Sequence, residues 1–218
     1  MKTLFITTPI RPSPTDFPPI GILSILKAMR KNGLHDLEFY NIDGNRPSYL
    51  EAVSYIVNLR PDIIFISAVV STAYEYTKNI SKDIRDQIPN VLIAVGGGLA
   101  ASAEIILKKT EVDICITGEG ETTNCKIVKS YQKRKKIEDL KHIPGILMYI
   151  DGVLLNNGYE EQIPKEDVYD LDWNDLARSS DITQFIYPAF NEVGEPRRGF
   201  QLDSRTYEPH RRNKTVGQ

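Results

Sequence analysis

Two glycine-rich stretches near the middle of the sequence are the residues best suited to binding chemistry. The first is VGGG at residues 95–98 and the second is GEGE at residues 118–121, and each follows an apolar run. Because glycine has no Cβ atom, a ligand can approach the backbone closely and use its amide groups as donors. A single cluster of this kind is often only a turn, whereas two clusters that end successive apolar runs favour a binding site.

Small and polar residues also follow the other three apolar runs that predict buried strands. They are Thr7-Thr8-Pro9 after the first run, Asp43-Gly44-Asn45 after the second, and Ser67 with Ser71-Thr72 at the third. In an open parallel sheet, ligands bind outside the carboxyl ends of the strands, and hydroxyl groups there add adjustable donors and acceptors. Together these positions predict a groove for a large ligand that carries polar groups.

The sequence lacks the motifs that common catalytic sites require. It has no G-x-S-x-G elbow, no Walker sequence and no G-x-G-x-x-G after the first predicted strand. His35, His142 and His210 lie away from the strand ends, which favours surface histidines over a catalytic base. Cys115 and Cys125 are too few for a disulfide framework or a four-ligand zinc site, and they lie in segments that predict core positions. We therefore expect binding, with no catalytic residue in this chain.

The composition is that of a soluble globular protein. The chain has 218 residues, of which 41% are hydrophobic and 26% charged, with a net charge of −2. This balance disfavours a nucleic-acid partner, and the basic run at residues 133–136 fits the end of a helix. No run approaches the roughly 20 apolar residues of a membrane span. We expect a cytoplasmic protein with reduced cysteines.

Strands and helices alternate over the first 140 residues, which predicts an α/β fold. The expected architecture is a doubly wound, flavodoxin-like (Rossmann-like) parallel sheet of five strands in the order 2-1-3-4-5, with helices on both faces. The predicted strands are residues 3–8, 37–42, 62–70, 91–95 and 112–117. The predicted helices are residues 20–33, 48–59, 73–88, 99–110 and 121–136.

The pattern changes after residue 140. Two short apolar runs flank Asp151-Gly152, which is a strong hairpin signal. The sequence beyond it is irregular and ends in a polar, basic stretch. We therefore predict a binding domain over residues 1–140, a hairpin extension over 141–160 and a linker over 161–218.

An ordered set of motifs resembles the N-terminal cobalamin-binding domain of cobalamin-dependent radical S-adenosylmethionine enzymes. The resemblance covers about residues 1–175, and no single motif is specific, whereas the ordered set is. In chain order the motifs are PPIG at 18–21, RPD at 60–62 before Ser67, VGGG at 95–98, VD at 112–113 before GEGE at 118–121, the hairpin, and DLDWNDL at 170–176.

The resemblance implies that the chain binds cobalamin at the strand-end edge. It implies that Ser67, Ser71 and Thr72 hydrogen-bond the dimethylbenzimidazole tail, that the VGGG glycines leave space beside the tail, and that the GEGE turn closes over the nucleotide loop. The candidate cofactor-binding residues are Thr8, Pro9, Gly21, Asp43, Gly44, Asn45, Ser67, Ser71, Thr72, Gly96, Gly97, Gly98, Gly118, Glu119, Gly120 and Glu121.

Two departures from related sequences shape the functional hypothesis. Other cobalamin modules carry D-x-H-x-x-G after the second strand, and here Asn45 stands where the cobalt-ligating histidine would be. Since an amide is a poor cobalt ligand, we expect no histidine lower ligand. The C-x-x-x-C-x-x-C motif that opens the family's radical domain is absent. The resemblance thus implies a fragment that holds cobalamin for a radical domain outside this chain. That domain would bind the iron–sulfur cluster and S-adenosylmethionine, with methyl transfer as the expected reaction.

Other functions remain open from the residues alone. A non-catalytic receiver or flavodoxin-like signalling or interaction domain has the same predicted sheet. A receiver needs acidic residues where Thr7, Thr8 and Ser67 stand, and a flavodoxin needs a phosphate loop in place of the proline-rich TTPIRPSP. A glycosyltransferase-like domain is disfavoured because no Asp-x-Asp pair lies at a strand end.

Overall fold

The computed structural model describes residues 1–164 and 171–185 of the chain. Its strands are β1 (Thr3–Thr7), β2 (Leu37–Tyr40), β3 (Ile63–Ser67), β4 (Leu92–Gly96), β5 (Ile114–Ile116), β6 (Ile146–Ile150) and β7 (Val153–Asn156). They form one sheet in the order β2-β1-β3-β4-β5-β6-β7. The first five strands are parallel, and β6 and β7 are antiparallel to their neighbours.

Seven α-helices accompany these strands within the described residues. They are α1 (Ile20–Lys31), α2 (Ile42–Asn45), α3 (Tyr49–Leu59), α4 (Tyr74–Gln87), α5 (Ala103–Lys109), α6 (Gly120–Arg134) and α7 (Trp173–Ser179). The start of α3 shows how sequence sets these boundaries. Ser48 and Glu51 form a capping box in which each side chain accepts a hydrogen bond from the other residue's backbone amide.

The parallel strands are buried on both faces because successive residues point into two separate cores. Phe5 and Phe65 belong to the core beneath α1 and α6, and their rings stack with centroids 4.8 Å apart. Leu4 and Ile64 belong to the core beneath α3, α4 and α5. This arrangement confirms the α/β prediction and the order 2-1-3-4-5 of the first five strands.

The predicted count of five strands is wrong, because the hairpin belongs to the sheet. Strand β6 pairs with β5, with Ile114 opposite Met148. The turn is as predicted: Asp151 and Gly152 have φ values of 52° and 78°, the left-handed conformation that a two-residue hairpin turn needs. Pairing with β6 covers an edge of β5 that would otherwise expose unpaired backbone groups.

Residues 171–185 fold against the first domain, within the region predicted as a linker. Leu176 of α7 and Phe185 join the core beneath α1. Asp175 is buried, and Arg30 Nη2 of α1 donates a hydrogen bond to its Oδ1 over 2.6 Å. This hydrogen bond raises the pKa of Arg30. Residues 165–170 and 186–218 of the predicted linker lie outside the described residues.

Both cysteines lie in the core, as predicted. Burial raises the pKa of Cys115 to about 12 and that of Cys125 to about 11, so both thiols stay protonated at neutral pH and are poor nucleophiles. Among residues 1–164 and 171–185, no three histidine, cysteine or acidic side chains cluster as a metal site requires. In the same part of the chain, no helix has both the length and the apolar character needed to cross a membrane.

Candidate functional site

A cavity of about 480 Å³ lies at the carboxyl ends of the parallel strands. Phe5 and Phe65 line it on the sheet side, and Ser67 and Gly96 line it where β3 and β4 end. Phe185 also lines it, although this residue lies more than a hundred positions further along the chain. The cavity therefore combines an apolar aromatic surface with small residues at the strand ends.

One side of the cavity, which we call the loop wall, consists of residues 8–17 between β1 and α1 and residues 43–46 of α2 and its C-cap. Asp43 is its centre. The Oδ1 atom of Asp43 accepts hydrogen bonds from Arg46 Nη2 over 2.6 Å and from the Ile10 amide over 3.3 Å. Its Oδ2 atom accepts one from the Thr15 amide over 3.2 Å. Both carboxylate oxygens of Asp43 are thus occupied by protein donors.

Arg46 fastens the two segments of the loop wall together. Its backbone is left-handed, with φ of 48°, and this conformation ends α2. Its guanidinium group donates to the carbonyl oxygens of Arg11 and Ser13 over 2.7 and 2.6 Å. Since Arg46 also pairs with Asp43, the loop wall is held by its own hydrogen bonds.

The opposite side, which we call the helix wall, consists of residues 118–124 at the start of α6 and residues 21–25 of α1. Glu121 is buried, with 7% of its surface exposed, and Ser24 Oγ donates to its Oε1 over 2.6 Å. Asn124 is 3% exposed and uses its Nδ2 to donate to the Gly120 carbonyl over 2.6 Å. Within the described residues, Glu121 Oε2 and Asn124 Oδ1 are buried without a hydrogen-bond partner.

The glycines at the strand ends serve two different purposes. A Cβ atom at Gly21 or Gly96 would meet nothing within 4 Å, so both positions leave open space at the cavity. Gly97 has φ of +85°, and a Cβ there would lie 2.7 Å from the Ala68 carbonyl oxygen. A Cβ at Gly98 would lie 2.3 Å from the Val69 carbonyl oxygen. Gly97 and Gly98 are therefore required by the close approach of two loops.

The GEGE turn has a similar division. Gly118 has φ of +77°, which permits the turn after β5. At Gly120 a Cβ would lie 2.6 Å from Ile25 Cδ1, so this glycine lets α6 pack closely on α1. Glu119 is exposed and Glu121 is buried, so the two acids of the motif occupy different environments.

The structure brings together most of the residues that the sequence predicted for this site. The predicted residues that line the cavity are Thr8, Gly21, Asp43, Gly44, Ser67, Gly96, Gly97, Gly118, Glu119, Gly120 and Glu121. Those that do not line it are Pro9, Asn45, Ser71, Thr72 and Gly98. Thr72 Oγ1 donates to the Ile10 carbonyl over 3.1 Å, and Asn45 Nδ2 donates to the Ser179 carbonyl over 2.7 Å. These two side chains are thus used in contacts between segments of the protein.

Three cavity residues were missed by the sequence-based prediction. Asn124 lies three positions after Glu121 on α6, and this helical spacing could have identified it. Thr15 lies in the proline-containing loop and Phe185 in the segment predicted as a linker, and no local pattern marks either residue. In chemical terms the cavity offers hydroxyl groups, backbone groups and buried acceptors, which suit binding of a polar ligand.

Comparison with protein families gives one match, and it covers the cavity. The model of the B12 binding domain matches residues 6–128, which is more than half of the chain. This region contains both the loop wall and the helix wall. It ends before β6, β7 and α7.

Comparison with curated proteins finds anaerobic magnesium-protoporphyrin IX monomethyl ester cyclases. The enzyme from Synechocystis sp. (strain PCC 6803) is 26% identical over 168 residues, covering 75% of this chain and 33% of the relative. The enzyme from Cereibacter sphaeroides is 25% identical over 162 residues, covering 72% of this chain and 26% of the relative. The chain therefore spans about a third or less of the length of these relatives.

Solved structures of similar fold include two radical S-adenosylmethionine enzymes. OxsB, a cobalamin-dependent S-adenosylmethionine radical enzyme solved with aqua-cobalamin bound, aligns with a TM-score of 0.70 and 20% identity over 84% of this chain and 25% of its own. TsrM from Kitasatospora setae, a methyltransferase solved with cobalamin and a [4Fe-4S] cluster, aligns with a TM-score of 0.61 and 13% identity over 77% of this chain and 30% of its own. The fold and the family match agree, and the chain belongs to the B12-binding domain family.

Proposed function

We propose that this chain holds cobalamin in the cavity at the carboxyl ends of the strands, for use by a radical S-adenosylmethionine domain of the same enzyme. Membership of the B12-binding family and the fold shared with OxsB and TsrM support the cofactor. The small share of each relative that the chain covers supports the second domain. When bound, cobalamin supplies the methyl-carrying chemistry, and the residues of this chain supply position and surroundings.

The observation that carries the proposal is the combination of open glycine positions with unpartnered acceptors in one cavity. Cobalamin is large and carries primary amide groups around its ring. Gly21 and Gly96 leave space at the cavity that any side chain would fill. Glu121 Oε2 and Asn124 Oδ1 lack a donor among the described residues, and amide N–H groups could provide one. The residues present therefore fit the cofactor that the family implies.

The residues that would hold the cofactor divide by position. Ser67, Gly96 and Gly97 lie at the ends of β3 and β4 and would lie beside the tail. The loop wall, centred on Asp43, would form one preformed side. Glu121 and Asn124 would meet polar groups on the other side.

We further propose that this chain provides no histidine ligand to cobalt. Asn45 is exposed, does not line the cavity and donates its side-chain amide to Ser179. No histidine among residues 1–164 and 171–185 lines the cavity either. A base-off, histidine-free cobalt would give a visible spectrum that differs from that of a histidine-ligated one, so a spectrum of the bound state tests this point.

A substitution at Gly96 tests the location of the cofactor. The Gly96→Trp variant places a large side chain in open space at the cavity without a positive φ or a backbone clash. We expect at least a roughly 100-fold loss of affinity for hydroxocobalamin, a loss equivalent to about 3 kcal/mol. The measurement is corrinoid absorbance retained by the purified chain after desalting, together with titration.

Ala101→Trp is the matched control, because Ala101 is exposed and lies close in sequence but outside the cavity. It should retain cobalamin like the wild type. Both variants should give the far-UV circular dichroism of the wild type. Equal retention by Gly96→Trp and the wild type would refute this location, and no retention by the wild-type chain would refute cobalamin binding itself.

A further inference from the structure

Two buried acceptors of the helix wall lie on one face of α6. Glu121 and Asn124 are three positions apart, which makes their side chains neighbours on a helix. Both line the cavity, and both are more than nine-tenths buried. Each keeps one oxygen, Oε2 or Oδ1, without a hydrogen-bond partner among the described residues.

The fold alone does not account for this pair. A carboxylate near a helix N-terminus is favourable, but that benefit is available to an exposed glutamate such as Glu119. Burying an acceptor without a donor costs free energy. Ser24 satisfies only Oε1 of Glu121, and the amide hydrogens of Asn124 are directed to the Gly120 carbonyl. The missing donors must therefore come from a bound molecule.

The charges around the cavity restrict the chemistry of that donor. Asp43, Glu119 and Glu121 line the cavity, whereas no lysine, arginine or histidine of the described residues does. A carboxylate or phosphate group beside Glu121 would meet like charge without a compensating cation. A primary carboxamide instead brings two N–H donors on one nitrogen, which match two neighbouring acceptors.

We propose that Glu121 and Asn124 form a subsite that recognises a primary carboxamide of the corrinoid and rejects the corresponding carboxylic acid. The inference rests on the proposed function and adds a specificity to it. The cavity would select the fully amidated cofactor over incompletely amidated corrinoids, in which a ring substituent still carries a free carboxylate.

The test compares cobalamin with its ring monocarboxylic acids, each of which has one amide hydrolysed. Dissociation constants are measured for hydroxocobalamin and for the b-, d- and e-monocarboxylic acids with the full chain. We expect one of the acids to bind at least about tenfold more weakly than cobalamin, because its carboxylate faces Glu121. The other two acids should bind within about threefold of cobalamin.

The Glu121→Gln variant supplies the decisive comparison. Its side-chain amide can donate to a carboxylate, so we expect the disfavoured acid to bind this variant within about threefold of cobalamin. Glu119→Gln is the matched control, because it removes the same charge from an exposed position of the same cavity; it should not restore the acid. Asn124→Asp adds a second carboxylate and should increase the discrimination at least about threefold.

The outcomes separate this inference from the proposed function. Equal binding of all three acids and cobalamin to the wild type would overturn the carboxamide subsite while leaving cobalamin binding intact. The same would follow if Glu121→Gln kept the full discrimination, or if Asn124→Asp reduced it. Should the wild type fail to retain cobalamin, both proposals are overturned together.

Discussion

The two walls of the cavity differ in how far the protein satisfies its own polar groups. In the loop wall, Asp43 accepts hydrogen bonds on both carboxylate oxygens, and Arg46 donates to several acceptors of the same wall. In the helix wall, the buried Glu121 has a donor on only one oxygen. Both walls present a buried carboxylate to the same cavity, so the comparison isolates the hydrogen bonding.

This difference shows how one cavity can be both preformed and selective. A wall that satisfies its own groups keeps its shape before the ligand arrives, which reduces the ordering cost of binding. A wall that leaves acceptors unsatisfied gains most when the ligand supplies the donors. We therefore expect substitutions in the loop wall to change stability first, and substitutions in the helix wall to change binding first.

The largest expected effect on stability is at Asp43. Asp43→Ala leaves Arg46 and the amides of Ile10 and Thr15 without their acceptor. We expect the free energy of unfolding to fall by about 4 kcal/mol, as for other broken buried ion pairs. Urea denaturation without ligand measures it. Glu121→Gln is the comparison and should change the same quantity by no more than about 1 kcal/mol, since it removes a half-satisfied buried charge. Equal losses in the two variants would contradict the distinction between the walls.

A smaller loss is expected at Phe185, which tests whether the segment after α7 is part of the cavity structure. Its side chain is 1% exposed and contributes to the core beneath α1. Truncation in Phe185→Ala leaves a cavity and should cost about 3 kcal/mol of unfolding free energy. Phe17→Ala is the control on the loop wall, where the ring is 57% exposed, and it should cost well under about 1 kcal/mol. A Phe185→Ala variant as stable as the wild type would show that this segment is not needed for the fold.

The smallest effect is expected at Asn45. Its hydrogen bond to the Ser179 carbonyl is exposed, so Asn45→Ala should lower the free energy of unfolding by about 0.5 kcal/mol. Because Asn45 lies outside the cavity, the dissociation constant for hydroxocobalamin should stay within about twofold of the wild-type value. A large loss of affinity together with a changed cobalt spectrum would instead assign Asn45 to the cofactor.

Much of the fold could be predicted because its signals are local. The capping box at Ser48 and the hairpin at Asp151-Gly152 each depend on a few adjacent residues, and both are present in the structure. The five parallel strands follow from the alternation of apolar runs with helical patterns. The attachment of β6 to β5 could not be predicted in the same way, because pairing depends on which sheet edge is free.

The candidate site divides along the same line. The strand-end rule identified Ser67, Gly96 and Glu121 because the carboxyl ends of parallel strands meet at one edge. It also selected Ser71, Thr72 and Asn45, which do not line the cavity. It missed Phe185 altogether, since that residue reaches the cavity through the packing of α7 on α1.

The sequence by itself determined the sheet order of the first five strands, the helix caps, the hairpin turn and the edge at which a ligand binds. These features follow from hydrophobic period, turn chemistry and strand polarity, which act over a few residues at a time. Only the tertiary structure decided which glycines open onto the cavity and which are needed for close backbone contact. It likewise decided that Asp43 is fully satisfied while Glu121 is not. Those distinctions depend on distances between residues far apart in the chain, such as Gly97 to Ala68 and Ser24 to Glu121, and no local pattern encodes them.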